Sequence, residues 1–215
     1  MGVRKITNKG SKKVIGKFAS HKLQTTVWWE SQIERDYIYL LEIDPEVSFY
    51  QEQPFHIAYK ITDQDHSYTP DFYVERGQRQ QVIEVKPARE VDKEENARLF
   101  RIIRTMCEQQ NREFAVVTET MIRVQPRLSI IKLLYRYAKV PLAPPHVVCC
   151  QEFLALHPEA RLGDISRHLT SRNIAVQVLY ALIYHGILKV DFSQPINSHS
   201  LVCFYDEALT IKQGL

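Results

Sequence analysis

Long hydrophobic runs and paired cysteines are both missing from this 215-residue sequence. Its apolar stretches extend over only a few residues each, so no transmembrane helix is expected, and the N-terminus is too polar for a secretory signal. The four cysteines, Cys107, Cys149, Cys150 and Cys203, form no C-x-x-C pair, which argues against a zinc site or a disulfide framework. Reduced thiols of this kind are typical of a soluble, cytoplasmic protein.

Acidic residues are missing from the first 29 positions, whereas basic residues are frequent there. This segment carries a net charge of +7, and the remainder of the chain carries −4, because the total is +3. A basic segment neutralises DNA phosphates in a salt-dependent manner, although the same composition fits a solvated tail. We predict a basic arm over residues 1–22. Its candidate DNA-binding residues are Arg4, Lys5, Lys9, Lys12, Lys13, Lys17 and Lys22.

Internal repeats and low-complexity segments are absent, so the chain is expected to form ordinary globular domains. Hydrophobic residues make up 45% of it, enough for one substantial core and a second, smaller one. The proline-rich segment 140–145 is typical of an extended linker. We therefore predict a first domain over residues 23–139 and a second over residues 146–215.

Apolar periodicity in the first domain alternates between the helical and the strand spacing. The predicted elements are helices over residues 27–43, 91–110 and 122–138, and strands over residues 47–53, 55–62, 68–74, 81–87 and 114–118. Ser31 is a candidate cap within the first segment, and Pro126 interrupts the last helix. The last strand is fully apolar, as expected of a strand that lies parallel to its neighbour. The sequence thus predicts a mixed α/β fold in which a helix precedes an antiparallel meander and a strand, helix, strand crossover follows.

The second domain has the element order of a winged helix. Three helices are predicted over residues 147–156, 162–169 and 174–184, followed by strands over residues 187–192 and 201–205. The segment from residue 146 onward carries a net charge of −1, and its third helix contains no Lys or Arg. Because major-groove reading relies on basic and amide side chains, we expect this domain to dock a protein partner.

Two carboxylates and an ammonium group meet in the hairpin formed by strands 68–74 and 81–87. Asp71 lies on the first strand, and Glu84 and Lys86 lie on one side of the second, because side chains alternate along a strand. Such a group on an apolar sheet costs desolvation free energy unless a cation or a function offsets that cost. Magnesium is held by one or two carboxylates together with water and phosphate oxygens. A solvated surface ion pair is the simpler alternative.

The order of acids and lysine resembles the PD-(D/E)XK nuclease superfamily, written here as Pro70-Asp71 and Glu84-Val85-Lys86. More narrowly, four segments resemble the TnsA endonuclease subunit of heteromeric cut-and-paste transposases. These segments are residues 28–37, 50–55, 68–74 and 83–87. The resemblance implies a restriction-endonuclease-like nuclease core followed by a winged-helix domain. In the better-known branch of this family a glutamine stands at the position of Glu84.

Site residues follow from the same resemblance. It implies that Glu34, Asp71 and Glu84 bind Mg²⁺, for which Mn²⁺ substitutes, with the Val85 backbone carbonyl as a further ligand. Lys86 would either stabilise charge on the phosphate or act as a base, and the sequence leaves both roles open. Glu30 is a rival to Glu34, because helix phase permits either acid. Gln51 and Gln53 are possible supporting residues, since amides orient water or phosphate.

The resemblance also implies a function and partners. The chain would cut double-stranded DNA at the 5′ ends of a transposon in the bacterial cytoplasm, beside a transposase subunit of the integrase-like class. Its C-terminal domain would dock the AAA+ ATPase regulator. A free-standing restriction or repair nuclease is an alternative from the same class, and a non-catalytic DNA-binding or adaptor protein is one from another class.

Overall fold

The computed structural model describes residues 14–204, which divide into two compact units between Val124 and Gln125. The first unit contains β1 (Gly16–Ser20), β2 (Thr25–Trp29), α1 (Gln32–Ile43), β3 (Val47–Glu52), β4 (Ile57–Ile61), β5 (Gln64–Tyr68), β6 (Phe72–Arg76), β7 (Arg79–Val85), α2 (Ala88–Val91), α3 (Glu94–Glu108), β8 (Glu113–Val117) and α4 (Glu119–Ile122). The second contains α5 (Arg127–Tyr135), α6 (Pro144–Leu156), α7 (Leu162–Ser171), α8 (Gln177–Tyr184), β9 (Leu188–Lys189) and β10 (Cys203–Phe204). No helix among the described residues is both long and apolar enough to cross a membrane.

The first unit is built on a four-stranded sheet with the strand order β3-β6-β7-β8. The first three strands are antiparallel, whereas β8 lies parallel to β7. A parallel pair requires a crossover connection, which α2 and α3 supply. Gly77 adopts a φ of 55° in the turn between β6 and β7, a conformation that suits a tight hairpin. The predicted mixed α/β class, the hairpin that joins the strands on either side of Gly77 and the parallel last strand are confirmed.

Apolar side chains attach α3 to the face of this sheet. Phe100, Ile103 and Cys107 recur at helical spacing along α3 and are all buried. They form one core cluster with Ile57, Val82 and Phe114. Val82 of β7 belongs to this cluster. The strand that carries Glu84 is therefore packed against α3.

Residues 16–29 form an antiparallel hairpin, which was not predicted from the sequence. The predicted arm extends to residue 22 and the predicted helix begins at residue 27, yet β1 pairs with β2 over their whole length. The helix instead begins at Gln32, after the cap residue Ser31. Trp29 is only 9% exposed and packs on Gly16, where an added Cβ would lie 2.1 Å from its ring. Trp29 is therefore a packing residue of this hairpin.

Buried Glu42 of α1 fixes the turn of that hairpin. Its carboxylate accepts hydrogen bonds from the Ser20 hydroxyl (2.5 Å), the Tyr50 hydroxyl (2.6 Å) and the backbone N–H groups of His21 (2.9 Å) and Lys22 (3.1 Å). Four donors around one carboxylate compensate its desolvation. The hairpin is thereby attached to both α1 and β3.

The strand predicted over residues 68–74 is in fact the end of one strand and the start of another. Tyr68 closes β5, which pairs with β4 in a separate hairpin, and Phe72 opens β6. Pro70 lies between them, and proline has no N–H for a strand ladder. Thr62 and Asp63 form the turn of the β4–β5 hairpin with positive φ angles, so a strand begins at Gln64, before the one predicted from residue 68.

The second unit begins earlier than the predicted linker. Helix α5 packs on α8, and the rings of Tyr135 and Tyr184 lie 6.1 Å apart in an edge-to-face contact. Residues 144 and 145 begin α6 and do not remain in an extended linker, because proline is compatible with a first helical turn. The three predicted helices correspond to α6, α7 and α8. Strands β9 and β10 pair over only two residues each, and the winged-helix assignment stays a prediction.

Candidate active site

The β6–β7 hairpin brings Asp71 and Glu84 to the same end of the sheet. Phe72 is paired with Ile83, so Asp71 and Glu84 occupy the next position along the two strands. The Asp71 Oδ2 atom accepts a hydrogen bond of 2.7 Å from the backbone N–H of Val85. This bond holds the carboxylate against the strand that carries Glu84 and Lys86.

The first turn of α1 brings Glu34 to the same place. Ser31 caps the helix, and its hydroxyl accepts a hydrogen bond of 3.1 Å from the Glu34 N–H. Glu34 Oε2 in turn accepts one of 2.8 Å from the N–H of Glu30, one residue before the cap. Glu30 precedes the helix and also lines the site. The negative charge of Glu34 is among the causes that raise the pKa of Asp71.

These elements enclose a cavity of about 290 Å³. Its lining contains all four residues predicted to be catalytic, together with Val85 and Gln53. The complete lining is Glu30, Ser31, Ile33, Glu34, Gln53, Thr69, Asp71, Glu84, Val85, Lys86 and Pro87. The structure therefore gathers side chains that are up to 57 positions apart in the sequence. Gln51 is not among them; it pairs with Tyr73 in the β3–β6 ladder.

Gln53 reaches the cavity because the backbone changes direction after β3. Its φ is 41°, an uncommon value for a residue other than glycine, and its N–H donates a 2.9 Å hydrogen bond to the Asp71 carbonyl. The side chain is 7% exposed, and its Oε1 atom has no hydrogen-bond partner among the described residues. Buried polar atoms are rarely left unpaired, so this oxygen is available to a ligand of the cavity.

Both oxygens of the Glu84 carboxylate are engaged. Lys86 Nζ donates to Oε1 at 2.8 Å, and the Tyr68 hydroxyl donates to Oε2 at 2.5 Å. Sequence reasoning identified the lysine but not the tyrosine. The only available signal was the position of Tyr68 three residues before Asp71, which says nothing about where its hydroxyl points.

The charged groups of the cavity shift the pKa values of Asp71 and Lys86. The pKa of Asp71 is raised well above its usual value by burial and by repulsion from Glu84 and Glu34, which the Val85 N–H and Lys86 offset only in part. Burial opposes the charge on Lys86, but the hydrogen bond and attraction to Glu84 outweigh it, so the pKa of this lysine is raised. The site thus holds excess negative charge beside a firmly protonated lysine.

No three His, Cys, Asp or Glu side chains within residues 14–204 already form a group that could hold a metal ion. Glu34, Asp71 and Glu84 are instead held by the hydrogen bonds described above. Any cation at this position would depend on additional oxygens, such as Gln53 Oε1 and those of a bound substrate.

Two of the predicted DNA-binding residues lie within the described part of the chain. Lys22 Nζ donates to the backbone carbonyls of Asp44 and Val47, each at 2.5 Å, and burial lowers its pKa. Lys22 is therefore a structural residue of the first unit and not part of a solvated arm, which corrects the prediction. Lys17 lies 4.6 Å from the ring of Trp28, which is 37% exposed. The remaining candidates, Arg4, Lys5, Lys9, Lys12 and Lys13, lie outside the described residues.

Comparison with known proteins bears directly on this cavity. Residues 44–119 match the family described as TnsA-like endonuclease N terminal. The matched segment contains Asp71, Glu84 and Lys86 with the whole β6–β7 hairpin and its crossover, while Glu34 lies before it. No curated protein matches the chain. The resemblance to the TnsA family drawn from the sequence is confirmed over residues 44–119, the segment that matches its endonuclease domain.

Proposed function

We propose that this protein is the metal-dependent DNA endonuclease subunit of a heteromeric cut-and-paste transposase, and that it hydrolyses a phosphodiester at the 5′ ends of the transposon. One observation carries the proposal. Asp71, Glu84 and Lys86 of a TnsA-like endonuclease domain line a single cavity together with Glu34. Acidic oxygens beside one ammonium group are the side chains that metal-assisted phosphodiester hydrolysis requires.

The donor set of the cavity fits a hard divalent cation. The raised pKa of Asp71 reflects burial and carboxylate repulsion, which a bound cation would relieve. Gln53 is a buried lining residue of the same cavity, and its side-chain oxygen has no hydrogen-bond partner among the described residues. Mg²⁺ commonly takes only one or two protein carboxylates and completes its octahedron with water and phosphate oxygens. Glu34, Asp71 and Glu84, with the Gln53 amide and the Val85 carbonyl, would hold it here.

A bound Mg²⁺ or Mn²⁺ would neutralise charge at the phosphate and lower the pKa of a water molecule. Lys86 has a different task. Because its raised pKa keeps it protonated at neutral pH, it suits the stabilisation of negative charge on the phosphate better than proton abstraction. The Val85 N–H keeps Asp71 oriented toward the cavity through its 2.7 Å hydrogen bond.

The proposed assembly contains three further components. Double-stranded DNA of the transposon ends is the substrate, and an integrase-like transposase subunit cuts the other strand. An AAA+ ATPase regulator docks on the second unit, a role supported by the net charge of −1 over the segment from residue 146 onward. Few basic side chains there leave little to bind the phosphates of DNA.

Strand-specific nicking of a duplex that contains a transposon end tests the proposal, with the transposase subunit present. Asp71→Ala should lower the Mg²⁺-dependent nicking rate by about 10²–10³-fold, the scale seen when a group that stabilises transition-state charge is removed. Glu75→Ala is the matched control, because Glu75 lies on the same strand and contacts Tyr73 instead of the cavity. Unchanged nicking by Asp71→Ala, or equal nicking in chelator, would reject the assignment.

A further inference from the structure

The hydroxyl of Tyr68 contacts the predicted catalytic carboxylate of Glu84 from outside both the β6–β7 hairpin and α1. Tyr68 is the last residue of β5 and pairs with Ile57 of β4. Its ring packs against the core cluster that includes Val82 and Phe100. The backbone ladder and the ring packing together fix where the hydroxyl points.

That hydroxyl and Lys86 hold Glu84 from two sides. A carboxylate has about four lone-pair positions, two on each oxygen. Tyr68 uses one on Oε2 and Lys86 uses one on Oε1, so each oxygen keeps a lone pair for a cation. Hydrogen bonds to an ionised acceptor are about twice as strong as neutral ones. Glu84 is therefore confined to one rotamer without losing its ability to bind a ligand.

Tyr68 contacts Glu84 through a phenol, whose hydroxyl donates its proton to the Oε2 atom at 2.5 Å. A neutral phenol adds no charge to the cavity, whereas a second lysine would compete with a cation. The residue type thus suits a group that orients a carboxylate without neutralising it.

We propose that Tyr68 is a positioning residue that sets the affinity of the site for its divalent cation by orienting Glu84. The proposal rests on the metal-dependent function proposed above. Partners that orient a metal ligand contribute about 10–100-fold to metal affinity or activity. Tyr68 does not touch the reacting atoms in this scheme; it acts through Glu84.

Tyr68→Phe removes only the hydroxyl and keeps the ring in the core. We expect the Mg²⁺ concentration for half-maximal nicking to rise about 10–100-fold, with the rate at saturating Mg²⁺ largely recovered. Calorimetric titration of the DNA-free protein with Mn²⁺ should show the same loss of affinity, independently of activity. Tyr59→Phe is the matched control, because Tyr59 lies on the same hairpin with its ring stacked on His66.

A double-mutant cycle separates this role from a general structural one. If Tyr68 acts through Glu84, then in a Glu84→Gln background the Tyr68→Phe change should alter Mn²⁺ affinity by less than about twofold. An unchanged or tighter cation affinity in the single variant would overturn the proposal, and so would an undiminished effect in the Glu84→Gln background. Failure of the wild-type protein to bind any cation would instead reject the metal-dependent function itself.

Discussion

Asp71 stores unfavourable free energy in the cation-free protein. Its folded-state pKa is raised by burial and by Glu84 and Glu34, so the unfolded chain releases the proton at a lower pH than the folded one. Below a pH of about 4, Asp71 is protonated in both states and does not lower the free energy of unfolding. As the pH rises from there toward the folded-state pKa, the free energy of unfolding falls.

Asp71→Asn should consequently stabilise the protein in chelator at neutral pH while abolishing nicking. The amide keeps an oxygen acceptor for the Val85 N–H but carries no charge to repel its neighbours. Thermal unfolding measures the effect, at about 2–4 °C for each kcal/mol in a chain of this size. The gain should vanish near pH 4, and Mg²⁺ should stabilise the wild type more than the variant.

Asp65→Asn is the control for this stability measurement. Its carboxylate is 86% exposed and pairs with Lys60 at 3.6 Å, and such surface pairs contribute little. A stabilisation of the same size in Asp65→Asn, or a destabilisation by Asp71→Asn at neutral pH, would contradict the electrostatic account of the site.

At the scale of elements, Glu42 connects three parts of the first unit. It lies on α1, the helix that also carries Glu34, and it accepts hydrogen bonds from the β1–β2 turn and from Tyr50 of β3. Lys22 reinforces the same junction through the carbonyls of Asp44 and Val47. The position of α1 on the sheet, and with it that of Glu34, depends on this junction.

Glu42→Gln should therefore destabilise the first unit by about 2–5 kcal/mol, since a glutamine presents an NH₂ group to donors that need an acceptor. Hydrogen exchange of the amides of β1 and β2 should accelerate most. Glu46→Gln is the control, because Glu46 is exposed and pairs with Arg79 at 3.7 Å; its effect should stay within about 0.5 kcal/mol. Unaltered exchange in β1 and β2 of the Glu42 variant would show that the hairpin is held by other contacts.

At the scale of the whole molecule, the division between the units predicts where the chain tolerates truncation. Residues 1–124 contain the complete four-stranded sheet, α1 and the candidate site. Residues 1–139 add α5, whose side chains Leu128, Ile130, Ile131 and Leu134 are buried in the full chain. Without α8, part of this apolar surface loses its cover.

We expect the fragment 1–124 to be monodisperse and to unfold cooperatively, and the fragment 1–139 to aggregate. Each side chain left exposed forfeits about 1.5–3 kcal/mol of burial free energy. Size-exclusion chromatography and circular dichroism compare the two fragments at equal concentration. A better-behaved 1–139 fragment would favour the boundary at residues 140–145 that the proline content suggested.

Sequence by itself determined the features that depend on local spacing. Two strand patterns around the turn at Gly77 predicted the β6–β7 hairpin. The pairing of its two strands is sufficient to align Asp71 with Glu84. The Ser31 cap, the α3 crossover and strand β8, which is apolar after Glu113, follow from equally local signals. These signals are strong because a period of two or 3.6 residues fixes which side chains share a face.

Tertiary structure alone decided the contacts between distant elements. The sequence treats Gln51 and Gln53 as equivalent, and only the turn of the backbone after β3 sends Gln53 into the cavity. The Tyr68 hydroxyl contacts Glu84, 16 positions away, because β5 ends beside β7. Lys22 is not part of the predicted arm, because its ammonium group donates hydrogen bonds to backbone carbonyls 22 and 25 positions away. Side-chain partners of this kind depend on the packing of whole elements, which no local period encodes.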